Sequence, residues 1–401
     1  MKTDRLLIPI ALTTLAQGIL GVRVLARFVR GSIGVQRVEA VPAGPAPCEG
    51  CVSVVVPVLD EDGRLGPCLD GLTAQGPEVG EILVVDGGSR DGTPELVEAY
   101  RRRDPRVRLI DASPVPAGWN GKAWGLQVGL TRGEPASEWV LTVDADVRPA
   151  SGLVRTLLAH ARRVGVPAFS VATRQELGGL GEALLHPAML TTVVYRLGLP
   201  GHATRRAHQV QANGQCFLAR RAALRETDAF AVARASRCED MTVARCLAVA
   251  GYAVGFYEAG GLVSAHMYEG WRETWRNWPR SLPLHDQFSG VTGIIGLCEV
   301  TLVQALPLPL ILALGLRALS RPPTARRRSW SITATASGVS GILALARCGV
   351  LVGMARAYRR APWSYWLSPL CDAPVALALW RSRLRRRHVW RGRVLVDGES
   401  T

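Results

Sequence analysis

The chain has 401 residues, of which 48% are hydrophobic, and it carries a formal net charge of +15 with a mean hydropathy of +0.14. This apolar share is high for a purely soluble protein and favours attachment to a membrane. The basic charge does not indicate a nucleic-acid partner, because much of the arginine lies beside apolar segments, where it would meet anionic lipid headgroups.

The first predicted element is an apolar helix at the N-terminus. Residues 6–22 carry no charge, arginine-rich sequence follows them, and no small-x-small cleavage site is present. We therefore expect an uncleaved membrane anchor helix over residues 1–30. Residues 40–50, rich in Pro, Gly and Ala, are predicted to form a linker.

The nine cysteines are irregularly spaced and do not form a disulfide framework. Several lie in apolar surroundings, such as Cys298 and Cys348, and we expect the cysteines to be reduced core residues. Cys48 and Cys51 have zinc-knuckle spacing, but no second pair accompanies them, so a metal site there is not favoured.

A domain of alternating strands and helices is predicted over residues 51–288. Repeated βα units of this length predict an α/β fold with a mostly parallel sheet and helices on both faces. The predicted elements are, in chain order, strand 52–58, helix 65–74, strand 81–86, helix 93–103, strand 107–111, helix 123–130 and strand 139–144.

Acidic residues recur where these strands end, and ligands of open α/β sheets bind at that edge. Asp144 and Asp146 follow a buried strand, and two carboxylates one residue apart can share a divalent cation. Asp86 precedes two glycines that allow a ligand to approach the backbone closely, which favours a base or ribose contact. Asp60 and Asp91 have an alternative role in turns and helix capping, and for Asp91 we favour that role.

One lysine is exceptional in this sequence. Of the 48 basic residues only Lys2 and Lys122 are lysines. Lys122 stands just before a predicted helix, where an ammonium group and free backbone donors suit a phosphate or a base carbonyl. An incidental surface lysine is the alternative.

A carboxylate pair opens a later helix. Glu239 and Asp240 precede a helical stretch over 241–250, where backbone donors at the helix N-terminus stabilise negative charge. A simple capping role for Asp240 is the alternative. Asn213, Gly214 and Gln215 precede a predicted strand at 216–219, and Asn-Gly is also common in tight turns.

Taken together, these motifs resemble the family 2 glycosyltransferases of the GT-A fold, and within them the membrane-associated enzymes that glycosylate carotenoid-like or hopanoid-like lipids. The resemblance covers roughly residues 50–290. It rests on the order and spacing of six segments: Val56-Pro57-Val58-Leu59-Asp60-Glu61, Val84-Val85-Asp86-Gly87-Gly88-Ser89, Gly121-Lys122, Asp144-Ala145-Asp146, Asn213-Gly214-Gln215 and Cys238-Glu239-Asp240.

The resemblance implies a role for each matching residue. Asp240 would be the catalytic base, and Asp144 and Asp146 would bind Mg or Mn, with His266 as a further ligand. The residues implied on the donor side are Pro57, Asp60, Glu61, Asp86, Lys122 and Asp144. The residues implied on the acceptor side are Asn213, Gly214, Gln215, Glu239, Trp275, Arg276 and Trp278.

A tryptophan-rich stretch is predicted to form an interfacial helix over residues 270–282. Trp271, Trp275 and Trp278 have helical spacing, which predicts one aromatic face lying on the membrane surface. The stretch departs from the family's Gln-x-x-Arg-Trp motif, and this departure speaks against processive polymer synthesis.

Residues 290–381 contain three apolar segments that are candidate membrane spans: 291–316, 332–352 and 363–380. If all three crossed, both later basic clusters would lie outside, against the positive-inside tendency. The first segment is interrupted by Pro307 and Pro309, so it is re-entrant, lies at the membrane interface or is a kinked span. Residues 382–401 are predicted to be a basic tail.

The resulting hypothesis is a multi-pass protein of the inner cell membrane with a cytoplasmic catalytic domain. The resemblance implies an inverting, metal-dependent hexosyltransferase that uses a nucleotide-sugar, with UDP-sugar expected. The acceptor would be a hydroxyl or carboxyl of a membrane lipid such as a carotenoid, a hopanoid or another polyisoprenoid. Two alternatives are a processive polysaccharide synthase and a catalytically silent membrane scaffold.

Overall fold

A computed structural model describes residues 6–42, 44, 47–280, 282, 290–320, 323–384, 387–390 and 393–396. The chain begins with α1 (Leu7–Ser32) and then enters an α/β domain. The first half of this domain contains β1 (Val52–Val58), α2 (Asp62–Thr73), β2 (Val79–Asp86), α3 (Thr93–Arg101), β3 (Val107–Asp111), α4 (Gly121–Arg132), β4 (Trp139–Val143), β5 (Val147–Pro149) and α5 (Leu153–Val164).

The second half of the domain continues the alternation with shorter elements. It contains β6 (Ala168–Ala172), β7 (Arg174–Gln175), α6 (Leu180–Leu197), β8 (His202–Thr204), β9 (Cys216–Arg220), α7 (Arg221–Glu226), α8 (Ala229–Val232), α9 (Glu239–Val249), β10 (Val254–Glu258), β11 (Val263–Ala265) and α10 (Trp271–Asn277).

The main sheet confirms the predicted α/β fold. Its described strands lie in the order β3-β2-β1-β4-β9-β6-β10-β8. The strands β3, β2, β1 and β4 are parallel to one another, while β9 runs antiparallel to both β4 and β6. Helices cover both faces, which is why β1 is apolar on both sides: Val54, Val55 and Val56 are all fully buried.

The two faces of the sheet carry separate hydrophobic cores. On one face, α2 and α5 bury Leu69 and Leu157. On the other face, α4 and α9 bury Leu126 and Leu247. A small second sheet, in the order β5-β11-β7, lies beyond the end of β4 and was not predicted. This sheet matters because it begins directly after Asp146 and ends directly before His266.

The C-terminal part is helical and contains α11 (Gly290–Glu299), a π-helix (Val300–Ala305), α12 (Pro307–Leu319) and α13 (Pro323–Met354). By length and composition, two described helices, Leu7–Ser32 and Trp330–Ala357, could cross a membrane. The segments Gly290–Ala305 and Pro307–Leu319 form a bent pair, at 49°, that could be a third span.

The third apolar segment, predicted over 363–380, is not one long helix. A 3-10 helix (Trp363–Cys371) is followed by α14 (Asp372–Leu384), which begins at a buried aspartate. Asp372 is paired with Arg347 of α13 at 2.8 Å, so this charge is held inside the helical region. Of the predicted basic tail, the structure describes residues up to 384 and the hairpin β12 (Arg387–Trp390) and β13 (Arg393–Val396).

Two expectations about the cysteines were wrong. Cys48 and Cys51 are joined by a disulfide, so this pair is not reduced. Cys348 is exposed on α13 and does not lie in the core. Its apolar sequence neighbours do not indicate burial here, because the exposed face of this helix is itself apolar. Cys68 and Cys216 are free and buried, as expected.

Candidate active site

The acidic residues predicted at strand ends meet at one edge of the main sheet. β1 is the parallel neighbour of both β2 and β4, and Val58 is paired with Asp86. The carboxyl ends of these three strands therefore lie side by side. Asp60 and Glu61 follow β1, Asp86 ends β2, and Asp144 follows β4.

Asp86 organises the loop that follows it. Its Oδ1 atom accepts hydrogen bonds from the backbone N–H groups of Gly88 (3.1 Å) and Ser89 (2.9 Å) and from the Ser89 hydroxyl (2.6 Å). The backbone N–H of Asp60 donates to the same hydroxyl at 2.9 Å, which ties the β1 loop to the β2 loop. Gly88 has a φ of +98°, a conformation that favours glycine.

Asp60 and Asp91 both have structural roles in these loops. Asp60 Oδ1 accepts from the backbone N–H of Arg90 at 2.8 Å, and Asp60 itself has a φ of +54°. Asp91 accepts from the N–H groups of Thr93 (3.0 Å) and Asp62 (3.1 Å), consistent with the turn role favoured for it. Pro57 packs against α4 at Gly125, where the missing side chain allows the close approach.

Lys122 links the two halves of the site. Its Nζ atom lies 2.7 Å from Asp144 Oδ1 and 2.8 Å from Glu239 Oε1. Burial lowers the pKa of Lys122, but the neighbouring carboxylates of Asp144 and Glu239 outweigh this effect and raise the pKa well above its ordinary value. The side chain is therefore a permanent cation between the strand-end carboxylates and the Glu239-Asp240 pair.

The start of α4 is fixed by Asn120. The Asn120 Oδ1 atom caps the helix by accepting from the N–H groups of Lys122 (2.8 Å) and Ala123 (3.1 Å). The Asn120 Nδ2 group donates to the carbonyl of Ser236 at 2.7 Å. One asparagine thus positions Lys122 and also fastens the loop that leads to Asp240.

Asp240 is held by two backbone donors. Its Oδ2 atom accepts from the N–H of Gly214 at 2.7 Å, and its Oδ1 atom accepts from the N–H of Met241 at 2.8 Å. Burial and the adjacent Glu239 raise the pKa of Asp240 to about 6, although Lys122 and the two N–H donors act in the opposite direction. This carboxylate is therefore a stronger base than an ordinary aspartate.

Gly214 is required by its surroundings. A Cβ atom at this position would lie 3.0 Å from Lys122 Nζ and 3.1 Å from Asp240 Cβ, so a side chain would displace both groups. The neighbouring Asn213 and Gln215 belong to a polar cluster with Thr173 and Gln175 of the β6–β7 region, two residues that sequence reasoning missed.

Asp146 has the features of a cation ligand. Burial and the nearby Asp144 raise its pKa to about 7, and within the described residues its buried Oδ1 atom has no hydrogen-bond partner. His266 lies next to it, because its backbone N–H donates to the Asp146 carbonyl at 3.1 Å, and the buried Nε2 atom of His266 likewise has no partner in the described part of the chain.

The described side chains around Asp146 do not by themselves complete a metal shell. Among the residues that the structure describes, no group of three or more His, Cys, Asp or Glu side chains is arranged to hold a metal ion. Asp146 nevertheless fits a cation, because a buried carboxylate oxygen without a partner is relieved by positive charge. Magnesium in particular binds through one or two carboxylates, with water and phosphate oxygens supplying the other ligands.

The tryptophan helix differs in part from the prediction. Trp271 and Trp275 are exposed on α10, and Arg276 is exposed as well. Trp278 is not on this face: it begins a 3-10 helix (Trp278–Arg280) and its ring lies 4.3 Å from that of His186. The helical spacing ends at Asn277, so the aromatic face consists of two tryptophans and not three.

Arg64 is a third residue that could not be identified from the sequence. It lies in the first turn of α2, and its guanidinium contacts Glu273 of α10 at 3.1 Å. In a chain with 48 basic residues, of which only two are lysines, nothing marks one arginine as special. Its position three residues after Glu61 was the one available signal.

Residues 53–227 match the sequence model of the family described as glycosyl transferase family 2. The chain is 35% identical over 109 residues to a dolichyl-phosphate beta-glucosyltransferase of Trichomonas vaginalis, covering 25% of this chain and 31% of that protein. It is 32% identical over 131 residues to an undecaprenyl-phosphate 4-deoxy-4-formamido-L-arabinose transferase of Pseudomonas aeruginosa, covering 31% and 37%. The matches therefore span only about a third of either relative.

A solved structure shares the fold over nearly the whole chain. The mannosyltransferase of Pyrobaculum calidifontis, determined in complex with GDP-Man and Mn2+, is similar with a TM-score of 0.54 and 18% sequence identity. The similarity covers 92% of this chain and 99% of that one. At this level of identity the likeness shows the fold.

Proposed function

We propose that the protein is a family 2 glycosyltransferase, an inverting, metal-dependent enzyme that glycosylates a membrane lipid; the match of residues 53–227 to the family model and the shared fold support this proposal. The observation that carries the proposal is the position of Lys122. Its Nζ atom contacts the strand-end carboxylate Asp144 and the carboxylate Glu239, next to Asp240. A donor at the strand ends would thus lie beside a base.

The donor pocket would be formed by Asp60, Glu61, Asp86 and Lys122. Asp86 and its glycine loop would contact the nucleotide, and Lys122 would neutralise charge that develops on the diphosphate leaving group. Asp144 and Asp146, with His266 as a further ligand, would hold a divalent cation, which supplies additional positive charge to the diphosphate. The resemblance favours a UDP-sugar.

Asp240 is the residue that would act on the acceptor. Its carboxylate is oriented by the N–H groups of Gly214 and Met241, and its raised pKa of about 6 makes it a competent base near neutral pH. It would take a proton from the acceptor as that oxygen attacks the anomeric carbon, and the bond to the leaving diphosphate would break with inversion.

The need for this base bears on the acceptor. A hydroxyl must lose a proton on attack, whereas a lipid phosphate is already ionised at neutral pH and requires no base. Two relatives are named for dolichyl-phosphate and undecaprenyl-phosphate acceptors. We favour a hydroxyl of a carotenoid-like, hopanoid-like or other polyisoprenoid lipid because Asp240 is oriented and buried as a base would be.

The exposed Trp271 and Trp275 support the membrane part of the proposal. Tryptophan rings on the outer face of α10 suit the interface between water and lipid, and this helix would bring the lipid to the pocket. The catalytic domain would face the cytoplasm.

The test uses membranes that contain the full-length protein. They are incubated with radiolabelled UDP-glucose, or with GDP-mannose, plus lipid extract and Mn2+, with and without a chelator. Label should enter the organic phase only without chelator, and Asp240→Asn should abolish transfer but keep donor binding. The control is Asp70→Asn, an exposed carboxylate on α2. Label in insoluble polymer, or full transfer by Asp240→Asn, would contradict the proposal.

A further inference from the structure

Arg64 lies between the acidic edge of the sheet and the tryptophan helix. Its Nη2 atom is 3.1 Å from Glu273 Oε1, and its Nη1 group donates to the carbonyl of Met267 at 3.5 Å. The backbone N–H of Arg64 donates to the carbonyl of Glu61 at 3.0 Å, in the first turn of α2, which follows the loop after β1. The backbone of Arg64 thus lies next to the donor-edge residue Glu61, while its side chain contacts α10.

A strap of backbone makes the same connection along the chain. The strap, His266–Gly270, starts where the His266 N–H donates to the Asp146 carbonyl at 3.1 Å, and it leads directly into α10. Arg64 contacts the strap at Met267, and Glu273 Oε2 accepts from the Glu269 N–H at 2.8 Å. The strap and the first turns of α10 are therefore held together around the Arg64–Glu273 pair.

The charges around Arg64 come from both sides. Burial lowers the pKa of Arg64, but the carboxylates of Glu273, Glu61 and Asp146 outweigh this effect and raise the pKa above its ordinary value. Glu273 lies on α10, whereas Glu61 and Asp146 belong to the donor edge. Arginine suits this position because its planar group can bond to two partners at once. A lysine would offer one point of charge.

We propose that Arg64 is a positioning residue that holds α10 over the donor pocket through Glu273 and so aligns the lipid acceptor for transfer. This inference rests on the proposed function, since it assigns α10 the delivery of the acceptor. Arg64 acts through Glu273 and the strap. Loss of either partner should leave the donor bound and the acceptor misplaced.

The test is a double-mutant cycle in the full-length membrane protein, with UDP-glucose and Mn2+ as the donor probe, or GDP-mannose if that is the donor used. Arg64→Ala and Glu273→Ala should each lower kcat for lipid transfer by roughly 10- to 100-fold, as a misplacement of about 1 Å can do. Donor KM should change little, and hydrolysis of the donor by water should persist. The double variant should be no worse than either single one.

Three further variants sharpen the result. Arg64→Lys should restore part of the transfer rate, because it keeps the charge but not the second hydrogen bond. The matched control is the exposed pair Glu98 and Arg101 on α3, joined at 2.7 Å, whose alanine variants should leave transfer unchanged. If Arg64→Ala raises donor KM while Glu273→Ala has no effect, Arg64 binds the donor directly and the proposal is overturned.

Hydrogen exchange separates this inference from the proposed function. In lipid nanodiscs, Arg64→Ala and Glu273→Ala should both speed amide exchange in residues 266–277, with exchange in α3 unchanged. If the wild-type protein transfers no sugar to lipid, the proposed function fails, yet this measurement still reports whether the pair holds α10. Unchanged exchange in both variants would overturn the positioning role.

Discussion

At the scale of single residues, the environment of Asp240 predicts a pH dependence. Burial and Glu239 raise the pKa of Asp240 to about 6, so protonation should remove the base below that pH. We expect kcat/KM for transfer to fall about tenfold per pH unit below pH 6, as for one essential ionisation. Rates measured from pH 4.5 to 8 at saturating Mn2+ would show this fall in kcat/KM, which forms the acid limb of the pH profile.

The variant Glu239→Gln provides the control for this pH limb. Glu239 is one cause of the raised pKa of Asp240, and it also shares Lys122. Removing its charge should therefore move the limb to lower pH. A limb that stays at pH 6 in Glu239→Gln would mean that another group controls the rate.

Asp146 predicts a link between stability and cation binding. Its pKa is raised from 3.8 to about 7, so the folded protein holds this proton more tightly than the unfolded chain does. The contribution of Asp146 to stability is thus greatest below about pH 4 and is lost as the pH rises through 7. At pH 8 without metal, Asp146→Asn should raise the apparent Tm.

The same substitution should remove the response to metal. In the wild type, Mn2+ at 100 times its Kd should stabilise the fold by about 2.7 kcal/mol, because it binds the folded state alone. Asp146→Asn should lose this stabilisation, measured as the shift in apparent Tm, while Asp70→Asn should keep it. Equal shifts in the wild type and Asp146→Asn would show that the cation binds elsewhere.

The residues of the site were predictable to different extents. Lys122 could be singled out because lysine is so rare in this chain, but its contact with Glu239 joins positions 117 residues apart and depends on α4 and α9 both packing against α8. Arg64 could not be singled out, since arginine is abundant here and its partner Glu273 lies on a distant helix. Composition marks rare residues, whereas pairing depends on the fold.

At the scale of elements, the start of α4 is the most sensitive point. Asn120→Ala removes the cap and the bond to Ser236, and should lower the free energy of unfolding by about 1 kcal/mol. Transfer should fall more than stability alone explains, because both Lys122 and the loop before Asp240 lose their anchor. Asn120→Asp keeps the capping oxygen but places a second acceptor against the Ser236 carbonyl, so it should loosen the loop before Asp240 while the cap remains.

Thermal unfolding and the rate of lipid glycosylation, measured on the same preparations, would test this. An Asn120→Ala protein with a lower Tm than the wild type that still transfers sugar at the wild-type rate, measured below that Tm, would refute the anchoring role. Asn120→Asp should keep the helix cap, lose stability at the Ser236 contact and also transfer sugar more slowly than the wild type.

The long elements were predictable and the short ones were not. The strands Val52–Val58 and Val107–Asp111 have the predicted bounds, because continuous apolar runs end in clear turn signals. The second sheet was missed because β5, β7 and β11 have only two or three residues each, too few for a period to be seen. Trp278 left the predicted aromatic face because the helix tightens where it ends.

At the scale of the whole molecule, contacts show the direction of each apolar helix. α1 approaches the catalytic domain at its C-terminal end, where Gln36 bonds to Gly201, and α13 also ends there, where the Arg359 N–H donates to the Gln175 carbonyl at 3.0 Å. Their other ends meet far from the domain, since Thr14 and Ser331 line the same groove. The two helices therefore run parallel to each other, both toward the domain.

The bent pair runs away from the domain. Glu299 contacts Arg27 at 3.1 Å, near the domain end of α1, whereas the carbonyl of Leu302 accepts from Gln17 at 3.0 Å, deeper along the same helix. After the bend, α12 leads to the remote start of α13. This direction favours a kinked span over a re-entrant segment for 291–316.

The segment after α13 stays near the domain. Asp372 pairs with Arg347, and Tyr365 donates to the carbonyl of Leu351, so Trp363–Leu384 folds back on the domain end of α13. We therefore predict three crossings: α1, the bent pair and α13. The C-terminus would lie on the same side as the catalytic domain, together with Arg23, Arg27 and Arg30 at the domain end of α1, in line with the positive-inside tendency for a cytoplasmic side. The basic residues 326–328, at the start of α13, would lie on the opposite side and run against this tendency.

Epitope tags in the full-length protein would test this topology. Tags placed after residue 401 and between residues 360 and 361 should share one protease sensitivity in sealed vesicles, and a tag at the N-terminus should have the opposite one. A tag in the catalytic domain, in the exposed turn at Arg102 and Arg103, fixes which side is which. If the tag after 401 behaves like the N-terminal tag, the segment 363–384 crosses the membrane despite its break, and the buried Arg347–Asp372 pair then lies within a fourth span.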